Sequence, residues 1–119
     1  MKKILIVDDE DIIRALVHTT LEADGIQVFE ASNGSDAWEL IQTNPPDLVL
    51  LDIAMPGMDG FDLCAKTKAD PNLRGIPIVM LTACNSEEDR RRGEEAGADD
   101  YFVKPFSPLQ LLERVEGLL

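Results

Sequence analysis

The chain contains little that would support disulfide bonds, membrane insertion or a metal site built from soft ligands. It has only two cysteines in 119 residues, Cys64 and Cys84, and they lie far apart. Their spacing does not match a zinc site, so we expect reduced thiols. No apolar run is long enough to span a bilayer, and Asp8 and Asp9 interrupt the N-terminal run before a signal-peptide core is complete. These features predict a cytoplasmic protein without a membrane segment.

Basic residues are also scarce. Eleven Lys and Arg face 23 Asp and Glu, which gives a formal net charge of -12. This balance argues against binding of nucleic acid or anionic lipid by this chain, although it permits divalent cations and basic partner surfaces. The single histidine, His18, lies in a predicted helix without metal-ligand partners nearby in sequence. We therefore expect a boundary histidine and neither a phosphodonor nor a metal ligand.

The length suits one domain over residues 1–119. Strands are predicted at Lys3–Val7 and Gln27–Ala31, along the apolar run that ends at Asp52, at Ile76–Leu81 and at Tyr101–Val103, and helical patterns follow all five. Alternation at this spacing predicts an α/β fold, in which a single doubly wound parallel sheet of five strands is covered by five helices.

Apolar and capping residues define the predicted helices. In the first helix, the residues expected to form one buried stripe are Ile12, Ile13, Leu16, Val17, Thr20 and Leu21. In the last helix, Leu109, Leu112 and Val115 are expected to line the core, and Ser107 with Gln110 forms a capping box. Ser86 is expected to cap the fourth helix, whose charged run Glu87–Glu95 predicts a solvated face or, alternatively, a partner surface.

The run Leu48–Leu51 suits a strand buried on both faces of a parallel sheet. It stops at Asp52, and Pro56, Gly57 and Gly60 follow in a segment that favours neither helix nor strand. Asp52 is therefore expected where a central strand gives way to a loop. Ligands bind at this edge of open α/β sheets.

Other reactive side chains follow three of the remaining four strands: Asp8 and Asp9 after the first, Thr82 after the fourth and Lys104 after the fifth. If these strands are neighbours of the one ending at Asp52, all five residues converge on one pocket. Carboxylates at ~4 Å repel by about 4 kcal/mol per pair at an effective dielectric constant of about 20, so positive charge is required. Lys104 supplies one charge, and Mg²⁺, which prefers oxygen ligands, would supply the rest.

This set suits phosphoryl transfer to a carboxylate. Asp52 would be the nucleophile, Asp8 or Asp9 would hold Mg²⁺, and Lys104 and Thr82 would contact the phosphoryl oxygens. Each residue alone has an ordinary explanation: acids favour a helix N-terminus, threonine favours strands, and lysine is usually solvated. Their occurrence together at corresponding strand ends favours a functional site.

Four motifs carry a family resemblance across almost the whole chain: ILIVDDE (Ile4–Glu10), LVLLDIAMPGMDG (Leu48–Gly60), PIVMLTA (Pro77–Ala83) and GADDYFVKPF (Gly97–Phe106). With them the sequence resembles a response regulator receiver domain of two-component signalling, similar to the chemotaxis regulators. The resemblance implies the flavodoxin-like strand order 2-1-3-4-5 and a cis Lys104–Pro105 bond. The implied site roles are phosphoacceptor for Asp52, metal ligands for Asp8, Asp9, Asp52 and the main-chain carbonyl of Ala54, switch residues for Thr82 and Tyr101, and phosphate binding for Lys104.

The resemblance also implies partners: a histidine kinase or histidine phosphotransfer protein that donates the phosphoryl group, and a downstream effector domain or protein. It implies a signalling domain and not an enzyme with its own substrate. One alternative is a phosphorylation-independent interaction module, against which the complete pocket set argues. Another is a phosphatase resembling haloacid dehalogenases, which needs a second aspartate where this chain has Ala54.

Overall fold

The structure is a computed structural model that describes residues 1–53, 55, 57–82, 87–104 and 106–119. Within these residues, strands and helices alternate as β1 (Lys3–Val7), α1 (Asp11–Ala23), β2 (Gln27–Ala31), α2 (Gly34–Thr43), β3 (Leu48–Asp52), α3 (Gly60–Ala69), β4 (Ile78–Thr82), α4 (Glu87–Ala96), β5 (Asp100–Val103) and α5 (Pro108–Leu118). Several predictions fall outside the described residues: the Ala54 carbonyl ligand, the free thiol of Cys84, the Ser86 cap and the Lys104–Pro105 bond.

The five described strands form one parallel sheet in the order β2-β1-β3-β4-β5, which confirms the predicted fold class and strand order. β4 begins two residues later than predicted. The Ile76 N–H donates to the Leu73 carbonyl in a turn, and Pro77 has no N–H to contribute to a ladder. β5 begins one residue earlier than predicted, at Asp100.

Apolar side chains pack on both faces of the sheet. One face buries Leu5, Val49 and Met80 beneath α2, α3 and α4, and the other buries Ile6 and Leu50 beneath α1 and α5. All residues of β3 and β4 are buried. The centre of the sheet is therefore covered on both sides, as the apolar runs predicted.

The predicted buried faces of α1 and α5 are wrong in part. Ile12 is 82% exposed and Leu16 is 44% exposed, because the face of α1 toward the sheet follows Ile13, Val17 and Leu21 at intervals of four. Residues one position earlier are rotated by about 100° toward solvent.

In α5 the error concerns Leu109, which is 70% exposed, whereas Leu111 and Val115 are buried. Leu109 precedes Leu111 by two residues, so it projects from nearly the opposite side of the helix. The predicted cap is confirmed, since the Ser107 side chain accepts a hydrogen bond from the Gln110 N–H at 3.4 Å.

Candidate functional site

Strand register brings the predicted site residues to one edge of the sheet. Val7 of β1 pairs with Leu51 of β3, so Asp8 and Asp52 follow at the same level. On the other side of β3, Asp52 pairs with Leu81 of β4. Thr82 in turn pairs with Val103, the last residue of β5, and Lys104 follows. Four strand ends therefore meet around Asp52, as predicted.

A close backbone approach fixes the chain on the far side of Asp52. The Gly60 N–H donates to the Ile53 carbonyl at 3.0 Å as α3 begins. A Cβ atom on residue 60 would lie 2.5 Å from the Asp52 carbonyl oxygen and 2.8 Å from Ile53 Cα. Glycine therefore lets α3 start directly against the strand that carries the carboxylate.

The Lys104 ammonium lies among three carboxylates. Its Nζ is 2.7 Å from Asp8 Oδ2, 3.3 Å from Glu10 Oε1 and 3.7 Å from Asp52 Oδ1. The side chains of Asp8 and Asp52 are buried and that of Lys104 is nearly so, whereas Glu10 reaches in from solvent. The structure thus brings Lys104 together with two of the predicted acids and with Glu10, which was not predicted to take part.

The Asp8 carboxylate is held at both oxygens. Oδ2 accepts from Lys104, and Oδ1 accepts from the Glu10 N–H at 2.9 Å. The Asp8 N–H donates to the Ala31 carbonyl at 3.1 Å, which extends the pairing of β1 with β2 by one residue. A buried carboxylate with fixed partners is a preorganised ligand or electrostatic group.

Electrostatics leave this pocket short of positive charge. Burial, and then the neighbouring Asp8 carboxylate, raise the pKa of Asp52 from 3.8 to about 7. The charge of Lys104 lowers the pKa of Asp52, whereas a hydrogen bond with Asp9 raises it further. Burial tends to lower the pKa of Lys104, but the hydrogen bond to Asp8 and the charge of Asp52 outweigh it, so the pKa of the ammonium is raised. One lysine does not neutralise the cluster.

The donor set fits a hard divalent cation. Asp8, Asp9 and Glu10 each place a carboxylate oxygen within 4.8 Å of the others, and Asp9 also contacts Asp52. Oxygen-only ligands with an open, solvent-facing side are what Mg²⁺ takes, because it keeps several of its waters. The raised pKa of Asp52 is consistent with this fit, since a bound cation would favour the ionised carboxylate.

The two predicted switch residues share one face of the sheet. Thr82 is buried at the end of β4, and its carbonyl accepts from the Lys104 N–H at 2.7 Å. Tyr101 pairs with Met80 two positions earlier in the register and is half-buried against the core. The Arg90 guanidinium of α4 lies 5.3 Å from the centre of the Tyr101 ring.

Two contacts near the pocket escaped sequence reasoning. Glu10 could have been suspected, because it is one of four consecutive acidic residues, Asp8–Asp11, that directly follow β1. The other is Arg14 of α1, whose Nη1 donates to the Asp8 carbonyl at 2.7 Å. No sequence pattern indicates that contact. His18 lies farther along α1 and contacts Glu22 and Glu30, as expected for a boundary position.

Among the described residues, no helix combines the length and apolar character needed to cross a membrane.

A family model described as the response regulator receiver domain matches residues 4–116. The chain is 47% identical over 117 residues to the transcriptional regulatory protein SrrA of Staphylococcus aureus. The aligned region covers 98% of this chain and 47% of SrrA. The chain therefore spans about half the length of this relative.

Solved structures agree with the family match. The chemotaxis protein CheY4 of Vibrio cholerae superposes with a TM-score of 0.94 at 35% identity, covering 100% of this chain and 99% of that one. The signal receiver domain of a Syntrophus aciditrophicus signal transduction histidine kinase gives a TM-score of 0.94 at 37% identity, covering 100% of this chain and 90% of that one. The motifs, the strand order, the family match and these similarities agree, and the chain belongs to the response regulator receiver domain family of two-component systems.

Proposed function

We propose that Asp52 accepts a phosphoryl group from the phosphohistidine of a histidine kinase or histidine phosphotransfer protein. The observation that supports this most is the Lys104 ammonium, which lies 2.7 Å from Asp8 and 3.7 Å from Asp52 at the edge where four strands end. A carboxylate oxygen of Asp52 forms the new O–P bond. The P–N bond to the donor histidine breaks, and its electron pair returns to the imidazole ring.

The surrounding residues take the roles that charge and position allow. Lys104 would pair with a phosphoryl oxygen on Asp52, and Thr82, the last residue of the neighbouring strand, would donate from its hydroxyl to another. Asp8, Asp9, Asp52 and the main-chain carbonyl of Ala54 would hold Mg²⁺. Bound there, Mg²⁺ would neutralise negative charge on the phosphoryl oxygens during transfer.

The response to phosphorylation would run along β4 and β5. Once phosphoryl oxygens offer Thr82 an acceptor, its hydroxyl moves toward them, and the space released on that face admits the Tyr101 ring. The surface of α4, β5 and α5 then changes as the population shifts between two states. That surface would act on a downstream effector domain or protein.

Residues 1–119 would form one receiver domain that works in the cytoplasm and assists only its own phosphorylation and dephosphorylation. The net charge of -12 supports a protein partner in preference to nucleic acid or membrane.

Phosphorylation with a small-molecule donor tests the site directly. The wild-type chain is incubated with acetyl phosphate and MgCl₂, and intact mass is measured before and after hydroxylamine, which cleaves acyl phosphates. Asp52→Asn should gain no phosphoryl group, whereas wild type and Asp24→Asn should each gain one that hydroxylamine removes. Asp24 is a matched control because it is an exposed aspartate beyond the end of α1.

Three results would contradict the proposal. Labelling of Asp52→Asn equal to wild type would move the acceptor elsewhere. Failure of wild type to label with this donor and with a phosphorylated histidine phosphotransfer protein would favour a phosphorylation-independent interaction module. Steady turnover of a phosphate monoester would favour the phosphatase alternative.

A further inference from the structure

Arg14 is a charged side chain that the fold largely buries beside the acidic cluster of Asp8, Asp9 and Glu10. It is the fourth residue of α1, and its side chain is only 15% exposed. The guanidinium makes three contacts: Nη1 to the Asp8 carbonyl at 2.7 Å, Nη2 to Asp11 Oδ1 at 2.6 Å and Nε to Glu30 Oε1 at 3.1 Å. A planar guanidinium held on three sides has a fixed orientation.

The acceptor on the pocket side is part of the main chain. The Asp8 carbonyl belongs to the peptide group that joins Asp8 to Asp9, the two acids proposed to hold Mg²⁺. The Asp8 N–H and both of its carboxylate oxygens already have partners in β2, Glu10 and Lys104. Arg14 adds the hydrogen bond that fixes the plane of the following peptide group, and that plane decides where the Asp9 side chain projects.

Glu30 of β2 holds Arg14 from the other side. Its Oε1 accepts from Arg14 Nε, and its Oε2 lies 2.6 Å from His18 Nδ1. The carboxylate is therefore tied to two residues of α1. The resulting chain of contacts runs from His18 through Glu30 and Arg14 to the Asp8 carbonyl, so β2 and α1 together support the peptide group between the two acids.

We propose that Arg14 is a positioning residue for the divalent-cation site: it orients the Asp8–Asp9 peptide group through the Asp8 carbonyl, and Glu30 orients Arg14. The inference rests on the proposed function of this acidic cluster as a Mg²⁺ site. In this role Arg14 acts through the Asp8 carbonyl and not by binding the cation itself. Partners that orient metal ligands in this way typically change metal affinity by 10–100-fold when removed.

The charge of Arg14 alone predicts the opposite change in Mg²⁺ affinity when Arg14 is removed. Experiment can therefore distinguish an effect of charge from an effect of position. Loss of a positive charge near an acidic site strengthens cation binding through Coulomb attraction. If Arg14 acts by position, its removal weakens binding in spite of that gain. The matched control is Arg91, an arginine of α4 that is 70% exposed and forms a 3.9 Å ion pair with Glu95.

Titration of the ¹⁵N-labelled chain with MgCl₂, followed by amide NMR, gives the Mg²⁺ dissociation constant. We expect Arg14→Gln to raise this constant about tenfold. Arg91→Gln should leave it unchanged or slightly lower. Arg14→Lys keeps the charge but loses the fork of donors, so we expect an intermediate weakening with shifted amide signals of Asp9 and Glu10 before metal is added.

A second measurement separates positioning from general damage. The rate of phosphorylation by acetyl phosphate is measured against Mg²⁺ concentration, with thermal unfolding in EDTA as the check on folding. For Arg14→Gln the Mg²⁺ concentration at half-maximal rate should rise about tenfold, and the maximal rate should stay within about twofold of wild type. If Arg14→Gln does not fold, the charge-conserving Arg14→Lys decides the question by the same two measurements.

The outcomes distinguish this inference from the proposed function. Unchanged or tighter Mg²⁺ binding in the Arg14 variants, with wild type binding normally, overturns the positioning role alone. Absence of Mg²⁺ binding by wild type overturns the proposed metal site and this inference with it. Normal Mg²⁺ binding without labelling of Asp52 overturns the phosphoacceptor proposal but leaves Arg14 in its role.

Discussion

The centre of the sheet and its β5 edge differ in how firmly they are packed. All five residues of β3 and of β4 are buried, whereas each residue of β5 is only half-buried. Of the ten residues described in α4, which lies beside that edge, only Gly93 is buried. Few buried apolar contacts mean low local stability, so the edge is the part that can rearrange at small cost.

The pocket joins these two regions by charge. Asp8 and Asp52 extend from central strands, and Lys104 reaches them from the end of the edge strand. A phosphoryl group on Asp52 would therefore change the charge balance at the point where the edge is tied to the centre. Under the proposed function, the fully buried central strands would hold the Asp52 carboxylate and the less tightly packed edge would respond to its phosphorylation.

The largest expected effect concerns the cost of burying Asp52 in the centre. The ordinary pKa of Asp52, 3.8, applies to the unfolded chain, and burial raises this pKa to about 7 in the folded protein. Between these two pH values the folded state binds more protons than the unfolded state, so the free energy of unfolding falls as pH rises. Below pH 3.8 Asp52 is protonated in both states, and its ionisation no longer affects stability. In EDTA, Asp52→Asn should therefore stabilise the fold at pH 8 by at most about 4 kcal/mol.

Urea unfolding of wild type and Asp52→Asn at pH 3.5 and pH 8 measures this difference. The gain should nearly vanish at the lower pH, and Asp24→Asn should show no such gain at pH 8. A gain of the same size at both pH values would mean that the substitution acts through packing and not through ionisation.

The second prediction compares matched valines. Val79 in β4 is fully buried and Val103 in β5 is half-buried, so the same truncation removes different amounts of packing. We expect Val79→Ala to lower the free energy of unfolding by about 2 kcal/mol, and Val103→Ala by about half as much. Equal losses in denaturant unfolding would show that the edge is as tightly packed as the centre.

A third prediction uses two backbone amides that both bond to β4. The Ile53 N–H, after β3, donates to the Leu81 carbonyl at 3.1 Å, and the Lys104 N–H, after β5, donates to the Thr82 carbonyl at 2.7 Å. Bond length alone would favour protection of Lys104. If the edge opens locally, the protection factor of the Lys104 amide in hydrogen exchange should instead be at least about tenfold lower. Greater protection at Lys104 would remove the distinction between the two regions.

The strand ends could be predicted from sequence because they depend on few variables. Apolar runs locate the strands, and parallel pairing sends all their carboxyl ends to one edge. Asp52 and Thr82 lie where that argument expects them, each as the last residue of its strand. The convergence on Lys104 needed only the neighbour relations of four strands, which the family resemblance supplied.

Side-chain details depend on variables that the pattern does not contain. Ile12 and Leu16 fit a helical period, yet they face solvent because the rotation of α1 over the sheet is set by tertiary packing. The contact of Arg14 with Glu30 joins residues 16 positions apart in different elements. A period of 3.6 predicts neighbours within one helix, but it cannot predict which strand residue meets an arginine.

The smallest expected effect tests how the edge holds its aromatic residue. The Arg90 guanidinium lies 5.3 Å from the Tyr101 ring centre, a contact at a half-exposed site that contributes about 0.5–1 kcal/mol. Arg90→Gln should lower the free energy of unfolding by that amount and shift the ring signals of Tyr101, which are resolvable because the chain has one tyrosine. Arg91→Gln removes the same charge one residue away and should leave those signals in place. If both variants gave the wild-type ring spectrum, α4 would not restrain Tyr101 through Arg90, and the proposed coupling of α4 to the tyrosine would have to run through other contacts.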